Sequence, residues 1–247
     1  MKNFFKYQSD YPSGSGFSLF GKTHMIWLIV ILVVCVVSTK WIMKKDKQYR
    51  NKMNKILGCI MPVMGLYRDF TLLLTHHFAI GYLPFHLCSM ALWIGAVYVI
   101  TKNRYVGVIY VWLCVPGAIA ALLFPDWTIY PFFNYMHIHA FLAHGCIVTL
   151  GMWLFFTGEI CPSWKEIWMP LSFALIGSII LYPFNAYFYT NFWFLNEPSV
   201  GSPLIAIYHS VGKHWYLLGY GIFCFFILLL WKLFLHRMQI DTLNKTE

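Results

Sequence analysis

Seven stretches of about 20 apolar residues, at roughly 23–43, 54–75, 83–101, 105–124, 132–157, 166–190 and 213–236, constrain this chain more than anything else in it. In hydrocarbon, a segment of this kind must satisfy its own backbone hydrogen bonds, and a helix does so within one segment. The spacing predicts an all-α polytopic membrane protein. A single domain over residues 1–247 would form seven transmembrane helices, with no room for a soluble domain. Composition agrees, at 60% hydrophobic, 20% aromatic and 11% charged residues. The first span follows a polar stretch from Gln8 to Ser18 and lacks a cleavage site, so it reads as a retained helix rather than a signal peptide.

Lys and Arg set the expected orientation, because basic loops stay in the cytoplasm. Lys44, Lys45, Lys47, Arg50, Lys52 and Lys55 fall between spans one and two, Lys102 and Arg104 between three and four, and Arg237 and Lys245 in the tail. Loops 76–82 and 125–131 carry none. The N-terminus is expected outside and the C-terminus inside, against the counter-signal of Lys2, Lys6 and Lys22. The net charge of +9 then reports topology and contact with anionic lipid headgroups, not nucleic-acid binding. Seven Cys, odd in number and without CxxC spacing, indicate neither a disulfide framework nor a thiolate metal site.

No repeat with a period of 20–50 residues is visible, nor an inverted repeat of the transporter kind. Ser13-Gly14-Ser15-Gly16 reads as a flexible lead-in to the first helix. Pro84 and Pro131 open spans three and five, while Pro116 and Pro183 are placed to kink spans four and six. The longest outer connection, Asn191 to Pro203, has the composition of a folded turn that could act as a lid.

On this topology the polar residues gather in the outer half of the membrane. Arg68 and Asp69 lie in span two, His76 and His77 at its end, His86 and Cys88 in span three, and Asn134, His137, His139 and His144 along span five. Asn185 and Asn191 end span six, and His209, Lys213 and His214 begin span seven; the inner half holds almost nothing comparable. Intramembrane polar groups cost enough to face a bundle interior and serve a purpose there. Arg68 and Asp69 lie about 100° apart on their helix, so they need not pair with each other; an interhelix clamp and a phosphate anchor both fit. Asn134, His137, Phe141 and His144 share one face, a polar stripe descending from the surface, with His139 pointing elsewhere. A membrane His is commonly a helix–helix hydrogen bonder, and an isolated Cys a small hydrophobe. Cys88, however, lies at the depth where a lipid's acyl ester begins, on a face that continues through Leu92 and Gly95 and could admit a chain. A thiol with a His base is a direct route to a covalent acyl intermediate.

The stretch Leu83-Pro84-Phe85-His86-Leu87-Cys88-Ser89, the later Pro116-Gly117-Ala118 and Phe124-Pro125-Asp126, and His144-Gly145 resemble the YwaF-like bacterial integral membrane proteins, which are grouped with the transmembrane-protein-164 acyltransferases. The likeness runs from His24 to about residue 220 and includes Asn185 and the Glu197-Pro198 turn. It implies a seven-helix lipid acyltransferase of the bacterial plasma membrane with a Cys nucleophile and a His base, mapping onto Cys88 and His144, without a metal or coenzyme A. A phospholipid would supply the acyl chain at the outer leaflet, and a lipid or lipoprotein would accept it. Arg68 and Lys213 are then candidates to hold the headgroup, His137 to orient the base, and Asn185, Asn134 or a backbone amide beside Pro84 to stabilise the oxyanion. His86, Asp69, Glu197 and His209 complete the supporting set. One departure stands out: an Asn-Tyr pair is expected at the outer end of span six, and the chain reads Thr190-Asn191-Phe192.

Two other classes fit the sequence. A zinc hydrolase of lipid amides or esters would use the outer His residues with Asp69, although His209 and His214 are five apart rather than at the i, i+4 spacing that shares a helix face. A seven-helix receptor or small-solute transporter fits the helix count, and fold alone does not establish function.

Overall fold

The computed structural model describes residues 4–12 and 14–243. Lys2, Ser13 and Lys245, named above, lie outside the described residues. Among these residues eight α-helices follow one another: α1 (Lys22–Met43), α2 (Lys47–Leu74), α3 (Leu87–Thr101), α4 (Arg104–Ile109), α5 (Val115–Leu123), α6 (Tyr135–Phe156), α7 (Trp168–Phe188) and α8 (Leu204–Leu243). A π-helical turn, Tyr110–Cys114, joins α4 to α5, so these three pieces make one crossing.

Among the described residues, six helical segments are long and apolar enough to cross a membrane: Lys22–Met43, Lys47–Leu74, Arg104–Leu123, Tyr135–Phe156, Trp164–Phe188 and Leu204–Met238. The third expected span falls short. Helix α3 has 15 residues, or about 22 Å at 1.5 Å per residue, against a hydrocarbon core of about 30 Å. Pro84 keeps Leu83 out of the helical region (ψ 148°), and the chain is extended again at His86 (ψ 143°), the residue that precedes α3. The helix therefore starts at Leu87, four residues after the apolar run begins, and Cys88 sits in its first turn.

Pro116 shapes the fourth crossing in a related way. The Val115 N–H bonds to Tyr110 O instead of Val111 O, closing a π turn just before the proline. That releases the Val111 carbonyl, and the Trp231 indole N–H on α8 takes it at 2.9 Å. A backbone group unsatisfied in one helix thus becomes a tie to another.

Helix α6 is the centre of the bundle, buried from Ile147 to Phe155 and packed by α1, α2, α3 and α5. The outer helices turn apolar side chains away from the protein: Ile29, Leu32, Val33 and Val37 on α1, Leu175, Ile176 and Ile179 on α7, and Ile222, Phe226 and Leu233 on α8. Exposed apolar faces of this extent mark contact with lipid.

At one end lie the connections α1–α2, α3–α4 and α6–α7, and this end is not sparse, contrary to the expectation for the inner half. Glu159 accepts from Asn54 Nδ2 (2.9 Å), Tyr98 Oη (2.9 Å) and Lys102 Nζ (2.6 Å), and Glu166 takes both Arg104 Nε (2.6 Å) and Nη2 (2.9 Å). Lys232, 4% exposed, donates to the Pro162 carbonyl between the faces of Trp112 and Trp164. Spacing hid this cluster because its members come from elements far apart along the chain, from α2 to α8.

At the other end, residues 4–12 and 14–20 fold over the bundle. Phe4 O accepts from Tyr135 N (2.8 Å), Lys6 O from Asn134 Nδ2 (2.9 Å), and Phe17 N donates to Thr128 O (2.9 Å). Gly16 is pressed so closely on Thr128 and Ile129 that a Cβ would overlap their backbone. Gly16 and Phe17 are thus pinned to the connection before α6, and backbone contact that only glycine permits explains Gly16 in a stretch whose composition reads as a linker.

Candidate active site

Helix α6 and the connection before it carry the centre of the site. Asn134 caps α6, accepting from Met136 N at 2.8 Å, and gives its amide hydrogens to Lys6 O and Tyr11 Oη (3.2 Å). One turn on, His137 accepts the Trp27 indole N–H at 2.8 Å, with its other nitrogen 3.2 Å from Tyr130 O. Phe141 stacks on Trp27 with centroids 5.0 Å apart. The stripe foreseen on this helix therefore exists, but Asn134 and His137 are occupied in fastening the N-terminal segment and α1. His139, expected to point elsewhere, is buried and lies 3.2 Å from Met64 O on α2. His24 is saturated too: Phe20 N donates to its Nδ1 (2.9 Å), and its Nε2 lies 2.7 Å from Leu122 O.

His144 differs. It is 6% exposed, and its Nδ1 lies 2.7 Å from Ala140 O. A carbonyl only accepts, so Nδ1 carries the hydrogen and, in the uncharged ring, Nε2 presents a lone pair. Nε2 is buried and without a hydrogen-bond partner, so the Cys88 thiol is not bonded to it in this state. The Trp127 ring stacks on the imidazole at 5.0 Å and 17°, and Trp127 Nε1 is likewise buried and unpartnered. The connection from α5 to α6 thus descends alongside α6 until its fourth residue past Leu123 meets His144, more than two turns into that helix.

Asp126 precedes Trp127 and acts electrostatically on both Cys88 and His144, which places the three in one neighbourhood. Its carboxyl pKa is raised by desolvation, with His144 pulling it down. Asp126 is nevertheless exposed, so solvent screens much of that shift. Asp126 and Trp127 are the site residues that sequence reasoning missed. Phe124-Pro125-Asp126 was visible as a motif, but nothing in its spacing told that the loop folds back to the middle of α6.

Cys88 is partly buried at the start of α3. The face below it does not admit a chain: Leu92 is 3% exposed, and at Gly95 a Cβ would press on Met61 Cε (2.6 Å) and the Tyr110 ring (2.9 Å). Small residues there serve close helix packing. Arg68 and Asp69 do pair, at 2.6 and 2.8 Å, because the arginine folds along its own helix. Arg68 also donates to Tyr82 O (3.0 Å) and Ser89 Oγ (3.4 Å), fastening the connection before α3 and α3 itself to α2.

The connection after α7 is a folded turn, as its composition indicates. Asn185, 1% exposed, accepts from Phe192 N (2.8 Å) and Thr190 Oγ1 (2.9 Å) and donates to Phe192 O (3.0 Å). Asn191 accepts from the backbone of Asn196 and Glu197 and donates to Glu197 O, while the Glu197 side chain is exposed. Trp193 donates to Phe85 O (2.7 Å), and Tyr216 and Tyr220 of α8 donate to Phe194 O and Trp193 O. Phe192, where the resemblance leads one to expect Tyr, is fully buried against Phe85, Phe184 and the His86 ring. His209 and Lys213 are exposed on either side of the break in α8 at Gly212 (φ 74°) and are not drawn into this group. Among the described residues, no three His, Cys, Asp or Glu side chains converge as a metal ion would require.

No curated protein and no solved structure is significantly similar to the chain. The sequence pattern that defines the TMEM164 family, however, matches residues 19–232, a stretch that contains Cys88, Asp126, Trp127, His144 and Asn185 together. The chain therefore belongs to the TMEM164 family of membrane proteins.

Proposed function

We propose that the protein is a membrane-embedded lipid acyltransferase in which Cys88 is the nucleophile and His144 the base. The observation that carries the reading is the state of His144. Its Nδ1–H is committed to Ala140 O, its Nε2 lone pair is buried without a partner, and Asp126 couples it to the neighbourhood of Cys88. A buried unpartnered acceptor is costly to keep, and a base awaiting its proton donor accounts for it. The basic α1–α2 connection supports a topology with the N-terminus outside, on which the site would lie at the outer leaflet.

In this mechanism Cys88 Sγ gives its proton to His144 Nε2 and attacks the ester carbonyl of a phospholipid. The tetrahedral intermediate collapses to a thioester, and the leaving alkoxide takes the proton back, departing as lysophospholipid. A second lipid or a lipoprotein then gives its proton to Nε2 and attacks the thioester, and Cys88 is restored as the thiol. Arg68 spends its donors on Asp69, Tyr82 and Ser89, so the exposed Lys213 is the better candidate for the headgroup phosphate.

Purified protein and its Cys88→Ser variant, incubated with vesicles of phosphatidylethanolamine carrying a labelled acyl chain, test the reading by intact-protein mass spectrometry. An adduct on the wild type alone, removed by hydroxylamine, supports it. Lipid turnover that persists in Cys88→Ser sinks it.

A further inference from the structure

We infer that the Trp127 indole N–H is the donor that receives the oxyanion when Cys88 attacks an acyl ester, an assignment that rests on the acyltransferase reading above. The side chains first considered for that task are engaged elsewhere. Asn134 spends its amide on Lys6 O and Tyr11 Oη, and Asn185 holds Phe192 and Thr190. Trp127 Nε1 has no partner, although it is shielded from solvent.

Chemical complementarity gives this orphan its meaning. The Trp127 and His144 rings stack at 5.0 Å, and each carries one buried, unpartnered nitrogen: an N–H on the indole and, in the neutral tautomer fixed by Ala140 O, a lone pair on the imidazole. Buried polar atoms in folded proteins are nearly all paired, so a donor and an acceptor left open on two stacked rings call for a ligand that supplies both complements. A thiol adding to an ester does so. The proton from Sγ goes to the acceptor, and the negative charge that develops on the carbonyl oxygen goes to the donor. The charge arises only in the transition state, where a fixed N–H in a dry site is most effective. The neighbouring Asp126 carboxyl acts on Cys88 and His144, which ties Trp127 to the same centre. Stacking also holds the indole in place, since Phe141 meets its ring edge to face at 5.3 Å.

The test separates the donor from the scaffold. Trp127→Phe keeps a ring against His144 and removes the N–H; replacement of Trp127 by β-(benzothienyl)alanine removes it without changing ring shape. For each protein two rates at Cys88 are read by peptide mass spectrometry: acylation by the labelled phosphatidylethanolamine, and alkylation by a maleimide, a thiolate reaction that uses no carbonyl of an ester. We expect acylation to fall about 10²-fold in both variants, the range found for loss of one oxyanion donor, with alkylation within twofold of wild type. Unchanged acylation overturns the assignment, and so does an equal fall in both rates, which would make Trp127 a support for His144. Absence of any Cys88 adduct on the wild type would instead refute the acyltransferase reading itself.

Discussion

Removal of the Asn185 side chain should loosen the turn over residues 189–197 by an amount that can be worked from its contacts. In Asn185→Ala, the Phe192 N–H loses its 2.8 Å acceptor and the Phe192 carbonyl its 3.0 Å donor, at a residue fully buried among aromatic rings. Each orphaned backbone group costs about 1–3 kcal/mol. Thr190 is half-buried, so its hydroxyl can turn to water and adds little. The sum is about 4 kcal/mol, which at 1.4 kcal/mol per tenfold raises the population of open turn by about 10³-fold. Hydrogen–deuterium exchange on peptides covering 189–197, in detergent micelles, reads this directly: protection of the Phe192 amide should fall by that factor or vanish. Thr190→Val removes one hydrogen bond at a half-buried site, and its effect should stay within about tenfold. If the Asn185→Ala peptide exchanges within tenfold of wild type, Asn185 is not what holds the turn.

Gly151→Ala should destabilise the protein by about 1–3 kcal/mol, because a Cβ there would overlap Val115; Val115→Ala in the same molecule should restore most of the loss, and thermal melts of the two singles and the double measure the coupling. Asp126 gives a pH dependence with a definite sign. A carboxyl whose folded pKa is raised stabilises the fold fully below its unfolded value of about 3.9, and that contribution is lost as pH rises through the folded value. The melting temperature of Asp126→Asn should therefore gain on wild type across that window and run parallel above it, and a variant that loses ground to wild type as pH rises would contradict the desolvation.

The helices were legible because each apolar run must carry its own hydrogen bonds, and Pro84 and Pro116 fall where α3 is cut short and where the π turn forms. His144 and Cys88 stood out only as chemical possibilities among polar residues sharing one half of the membrane. Spacing could not separate His144 from His137, since both lie on one face of α6; their difference is that His137 has Trp27 and Tyr130 as partners and His144 keeps an open nitrogen. Arg68 and Asp69 mislead in the opposite direction, because the angle between neighbours on a helix ignores the reach of a long side chain that folds back.

By itself the sequence determined the medium and where the helical segments run, since these depend on residues near one another along the chain: apolar length, and the prolines that cut or reshape a run. Only the tertiary structure decided which polar groups are free to act. Whether a histidine or an indole is a spent tie or an open partner depends on atoms from distant segments, Leu122 for His24, Trp27 for His137, and Trp127 lying on His144 with one nitrogen of each ring open. Burial makes each unpaired donor or acceptor costly, so pairing is settled by the whole bundle at once and no local pattern can report it.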